Sequence, residues 1–310
     1  MGNSRCRIAN PCACSSCSGD PRRLGDLPRV LLLSAIVCIQ LGTVLAITLF
    51  PVYGALGMLF LRMALGSVTL LLVYRVDLFP VLRQAPWGIF LLGLTMAVQS
   101  CLIYEALARI PLGIAVSIEF LGPLGLALAS SRRLVDIACV LMAAAGIALL
   151  TPSIGTSLDP LGVFLAFAAG AGWAWYIVLI RRLGRQVEGG PGMALAMIIS
   201  ALLLLPYPGL QAVANLATHP ATIPAIFGVA MLTAAFPLLF EFVALKSMPA
   251  RRYGVLVALE PVAATIVGVV FLRASPDLNA WFAVLLISTA SVGVALLGRQ
   301  EAAASADLGL

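Results

Sequence analysis

Ten apolar runs, each close to the length of a membrane crossing, fill the chain between charges, prolines and glycines. A helix needs about 20 apolar residues to cross the hydrocarbon core of a bilayer. Lipid offers no partner for a free backbone amide, so spans of this kind must be helices. The expected spans are Arg29–Leu49, Tyr53–Tyr74, Trp87–Leu107, Leu112–Ser130, Leu134–Pro152, Leu161–Ile180, Met193–Leu210, Ile223–Leu245, Tyr253–Leu272 and Ala280–Gly298. Composition agrees. The 310 residues are 62% hydrophobic and 10% charged, whereas a soluble domain carries about 25% charged residues. That leaves short loops, a polar tail at each end and no second, soluble domain. Disorder, a nucleic-acid-binding scaffold and a disulfide-rich secreted module are excluded on the same ground.

The net charge of +6 is therefore read loop by loop, as orientation. Of the 19 basic residues, all but Arg62, Arg109 and Arg273 fall on one face of a ten-span arrangement. Cytoplasmic loops carry the excess of Lys and Arg, so both termini are expected in the cytoplasm. The first apolar run lacks the small-residue cleavage site of a signal peptide and reads as a membrane helix. The tail before it, residues 1–28, is expected to be disordered, and residues 299–310 form a second cytoplasmic tail.

The two halves of the chain echo each other. Ala106-Leu107-x-x-x-Pro111 recurs as Ala244-Leu245-x-x-x-Pro249, and at the same shift of 138 residues Pro123 recurs as Pro261. Five spans separate equivalent points, and an odd number inverts the second copy. Inverted repeats place a substrate site near the mid-plane, between the halves. The expected units are residues 29–152 and 161–298.

Charged side chains at depth cost about 2.5–3.5 kcal/mol on insertion scales, and those that persist usually face a cavity. Arg62 lies mid-way along the second span, Glu119 in the fourth, Glu241 toward the inner end of the eighth and Glu260 in the ninth. Glu105, near the outer end of the third span, suits the water interface. Burial favours the neutral form of a carboxylic acid, so Glu119, Glu241 and Glu260 are candidates for carrying a proton. Arg62 is either a substrate ligand or a structural partner for one of these glutamates. Pro123 and Pro261 remove a backbone donor and free a carbonyl one turn earlier, which can unwind a helix and present that carbonyl to a ligand. Gln40, polar and deep in the first span, is either a substrate hydrogen-bond donor or interhelical glue. Trp173, Trp175 and Tyr176 form an aromatic group in the sixth span, read as a substrate wall or a packing block.

Other chemistry is missing. No P-loop, H-E-x-x-H, G-x-S-x-G or dinucleotide fingerprint occurs, so no enzyme, cofactor or direct ATP drive is expected. Cys12-x-Cys14-x-x-Cys17, with Cys6 nearby, has no histidine or folded frame around it, and no metal site is expected. His219 reads as a solvated loop residue.

Several segments together resemble the drug/metabolite transporter superfamily with two EamA repeats, and within it the threonine/homoserine exporters. They are Ile39-Gln40, Leu49-Phe50-Pro51, Leu61-Arg62-x-Ala64-Leu65-Gly66, Pro111-Leu112-Gly113-Ile114, Glu119-Phe120-x-Gly122-Pro123, Ser130-Ser131-Arg132-Arg133, Gly170-Ala171-x-Trp173-Ala174-x-Tyr176, Glu241-x-x-Ala244-Leu245 and Glu260-Pro261, in the same order along the chain. The resemblance implies an all-α integral membrane protein of ten transmembrane helices, arranged as two inverted five-helix EamA repeats. It also implies export of small amino acids across the bacterial inner membrane. One departure stands out: the family commonly ends its ninth helix in Phe-Leu-Gly-Glu, and this chain has Phe271-Leu272-Arg273-Ala274.

The expected machine is a secondary exporter working by alternating access, with a small amino acid, protons and the lipid bilayer as partners. No nucleic acid is expected, and a homodimer is left open. Glu119 or Glu260 pairs with the substrate ammonium, and Arg62, with Gln40, receives its carboxylate. Trp173 and Tyr176 line the site, and Glu241 exchanges a proton at the inner mouth. Two rivals stay open: an exporter of a drug or another metabolite, and a non-transporting membrane scaffold or sensor.

Overall fold

The structure is a computed structural model and describes residues 21–74, 83–129, 134–150, 158–183, 189–237, 240 and 250–297. Among these the regular structure is helical, without strands. The stretch Pro21–Tyr74 is broken at Gly54, whose backbone (φ 68°, ψ 164°) suits a residue without a Cβ. We label the arm before the break α1 and the arm after it α2. Asn215 donates to the Val52 carbonyl at 2.7 Å beside this break. The helices that follow are α3 (Pro86–Leu107), α4 (Leu112–Glu119), α5 (Leu121–Ala129), α6 (Leu134–Leu150), α7 (Pro160–Leu183) and α8 (Gly189–Leu204). After them come α9 (Leu210–Thr218), α10 (Ile223–Ala230), α11 (Ala250–Val257), α12 (Glu260–Leu272) and α13 (Leu278–Leu297).

Five of these stretches are long and apolar enough to cross a membrane, and shorter apolar helices accompany them. Large apolar side chains such as Leu72, Phe164 and Val270 point outward and are more than half exposed. That surface suits hydrocarbon rather than water. The chain is a multi-pass membrane protein.

Several elements differ from the expected spans, each for a local reason. The first helix is already formed at Pro21, the first of the described residues, ahead of the expected Arg29. The seventh span does not stop at Leu210. A π-helical turn over Leu205–Gly209 absorbs Pro206 and Pro208, and the helix runs on to Thr218. The fourth and ninth spans are each split. α4 ends at Glu119, four residues before Pro123, and α11 ends at Val257, four residues before Pro261. Proline has no N–H to bond the carbonyl four residues back, so each helix stops where its ladder loses a rung. The eighth span is described only as far as Pro237, and again at Phe240. Residues 1–20, with their four cysteines, lie outside the described residues.

Packing is set by small residues at the helix crossings. α3 lies against α7 and α8, α6 against α13, and α4 against α12. A Cβ at Gly113 would collide with Thr265, so α4 and α12 meet there almost backbone to backbone. Gly66 on α2 faces Met197 on α8, and Gly42 on α1 faces Thr233 in the π-helical turn after α10. Such contacts replace the hydrophobic drive that is absent between helices in lipid.

Candidate functional site

The two helix breaks carry the polar chemistry. At the first, the Glu119 side chain is 9% exposed, and its Oε1 accepts a hydrogen bond from Gln99 Nε2 of α3 at 3.2 Å. The Glu119 carbonyl, which Pro123 cannot bond, packs against Gly170 of α7. A Cβ on Gly170 would lie 2.7 Å from that oxygen. Gly122 meets the Gly170 carbonyl from the other side, with no space for a side chain. Phe120, the residue between α4 and α5, makes an edge-to-face contact with Trp173 at 5.0 Å between ring centroids.

At the second break, Glu260 opens α12. Its Oε1 accepts from Gln40 Nε2 of α1 at 3.2 Å, although the two residues stand 220 positions apart. Gln40 is 1% exposed. Among the described residues no donor reaches its Oε1.

Arg62 on α2 donates through Nη1 to the Tyr104 hydroxyl of α3 at 3.2 Å, and its guanidinium carbon lies 5.6 Å from the centre of the Tyr104 ring. That distance is within the range of a cation–π contact. Among the described residues no carboxylate forms an ion pair with Arg62. Its Nε is buried and lacks an acceptor.

The structure thus ties Glu119 and Arg62 to α3, sets Trp173 against Phe120 beside Glu119, and joins Gln40 to Glu260 at the other break. Tyr176 goes elsewhere. Its hydroxyl points to Met193 Sδ on α8 at 3.6 Å, and its ring packs on the cluster of Leu92, Leu179 and Ala196. Glu241 lies outside the described residues. Glu105 is partly exposed: Arg109, one turn on, pairs with it at 2.8 Å and reaches Asp159 at 3.6 Å. Gln99 and Tyr104 belong to the site and were not singled out from sequence. The signal that marks Gln40, an amide deep in an apolar span, also marks Gln99. Among the described residues no group of three or more His, Cys, Asp or Glu side chains could hold a metal.

The chain is similar to known proteins along most of its length. The EamA-like transporter family matches residues 160–296. The threonine/homoserine exporter RhtA of Escherichia coli (strain K12) is 38% identical over 279 residues, covering 89% of this chain and 93% of that protein. The chain belongs to the EamA-like transporter family, in its RhtA branch. The threonine/homoserine exporter RhtA of Salmonella typhimurium (strain LT2) is 36% identical with the same coverage. A solved crystal structure shares the fold at a TM-score of 0.54 and 22% identity, over 90% of this chain and 99% of that one. Arg273, which caps α12, has a left-handed backbone (φ 53°), a conformation that favours glycine over a residue with a side chain.

Proposed function

We propose that this EamA-family chain exports small amino acids of the threonine and homoserine type across the bacterial inner membrane, by alternating access and in exchange for protons. The observation that carries this reading is the 38% identity to an RhtA exporter across nearly the whole of both chains. A shared substrate chemistry is the simplest reason for a likeness that covers 89% of the chain.

In this reading residues 29–152 and 161–298 are two inverted halves with both termini in the cytoplasm. Support comes from the contacts: α4 meets α12, α6 meets α13 and α2 meets α8, each pair being five spans apart. Helices interrupted at corresponding points of two halves are where inverted-repeat transporters hold their cargo. The substrate carboxylate takes the unmet Nε–H of Arg62, and its ammonium faces Glu119 or Glu260. Trp173 and Phe120 close the apolar side. Glu119 and Glu260 alternate between proton and substrate, and Glu241 serves the inner mouth. Rocking of the halves breaks the contact of α1 with α12 and opens the other side.

A growth panel tests the assignment. Cells overproducing the protein are challenged with inhibitory amounts of each amino acid in turn. Selective resistance to threonine and homoserine is expected. Resistance to none of them, or only to aromatic drugs, would refute the substrate class.

A further inference from the structure

Gln40 holds an unused hydrogen-bonding group at a site where bulk water does not reach. Its side chain is 1% exposed, and its Nε2 is engaged by Glu260. Its Oε1 is buried and, among the described residues, accepts from no donor. While Glu260 is ionised, as it is when it faces a substrate ammonium, its carboxylate fixes which end of the amide faces it, because an amide oxygen turned toward it would set two acceptors against each other. The carbonyl is therefore held away from Glu260. A buried acceptor in that state carries its full desolvation penalty, and native structures usually meet such groups with a partner.

We propose that Gln40 Oε1 is the acceptor that reads a side-chain hydroxyl on the transported amino acid. The proposal rests on the amino-acid-export reading and adds to it the basis of selectivity. Arg62 Nε and Gln40 Oε1 are unmet groups of opposite kind. The first suits the carboxylate that every amino acid carries, and so cannot discriminate among them. The second needs a donor. A substrate ammonium is such a donor, but all amino acids carry that group too. Only the side-chain hydroxyl distinguishes threonine from valine, which has nearly the same shape, and homoserine from norvaline. An analogue that puts a methyl group where the hydroxyl sits leaves the acceptor unpaired, and sites of this design reject such analogues strongly.

The alternative role for Gln40 is to position Glu260 alone. Its loss would then slow threonine and valine equally and leave their ratio untouched. The experiment measures initial rates of labelled threonine and valine uptake into everted vesicles carrying the full chain, as wild type and as Gln40→Met. Wild type is expected to prefer threonine by at least about tenfold. In Gln40→Met the preference is expected to fall to within about twofold, through loss of threonine transport rather than gain of valine transport. A wild type that moves both equally, or a Gln40→Met variant that keeps the wild-type ratio, overturns the proposal. If Gln40→Met does not reach the membrane folded, competition in the wild type decides. Valine that displaces labelled threonine as well as unlabelled threonine does contradicts it, and a need for at least about tenfold more valine supports it. A wild type that transports no amino acid defeats the export reading and this proposal together. One that transports valine and threonine alike defeats this proposal alone.

Discussion

Replacing Gly122 by alanine should pry α5 away from α7 and unseat the Glu119 break. A Cβ at Gly122 would come within 2.9 Å of the Gly170 Cα, and closer still to its carbonyl. Carbon atoms pack best at about 3.5–4.0 Å, so the two helices must part by roughly 1 Å. The obstructing atoms are backbone, and no rotamer change can relieve them. Overpacking typically costs about 1–3 kcal/mol, and a contact that cannot yield belongs at the upper end, about 3 kcal/mol. Gly125 provides the control on the same helix. A Cβ there meets nothing within 4 Å, and alanine in a helix interior gains about 0.5–1 kcal/mol over glycine. Thermal unfolding of the detergent-solubilised protein should therefore show Gly122→Ala melting well below wild type, with Gly125→Ala at or above it. Threonine transport should fall in the first variant and persist in the second. Equal melting temperatures for the two variants would refute the close backbone approach, and with it the account of how Glu119 is positioned.

Other perturbations have equally definite outcomes. Arg273→Gly should raise stability by about 1 kcal/mol, because a non-glycine residue in the left-handed region costs about 1–2 kcal/mol; an unchanged or lower melting temperature would count against that backbone. Asp159→Ala removes the Leu161 amide cap at 3.0 Å and the contact with Arg109, and should cost about 1 kcal/mol in thermal stability while transport continues. Arg62→Met should abolish threonine transport with the protein still folded in the membrane by size-exclusion chromatography, whereas full activity would remove Arg62 from the site. Glu119→Gln and Glu260→Gln should uncouple uptake in everted vesicles from an imposed pH gradient, and a wild-type response in both would exclude them from proton exchange.

Much of the fold was legible because bilayer thickness fixes span length and lipid forbids an unpaired backbone. The two breaks were legible for a chemical reason: Pro123 and Pro261 lack the N–H that would bond the carbonyl one turn back. The expected seventh span ran through Pro206 and Pro208 and ended too early, at Leu210, whereas a π-helical turn absorbs both prolines and the helix goes on to Thr218. Within the candidate site, charge guided the reading toward Arg62, Glu119 and Glu260, and it passed over Gln99 and Tyr104, which bond Glu119 and Arg62. The link between Gln40 and Glu260 joins residues too distant in sequence for any local pattern to expose. Tyr176, one turn beyond Trp173 on α7, meets Met193 and the Leu92 cluster where Trp173 meets Phe120, a difference in neighbours along the helix that spacing alone does not reveal.

The decisive assay is uptake of radiolabelled threonine into everted membrane vesicles acidified inside. Saturable accumulation above that of vesicles lacking the protein, collapsing when the pH gradient is dissipated, is the result expected of a proton-exchanging exporter. Accumulation no greater than in the empty vesicles would contradict it.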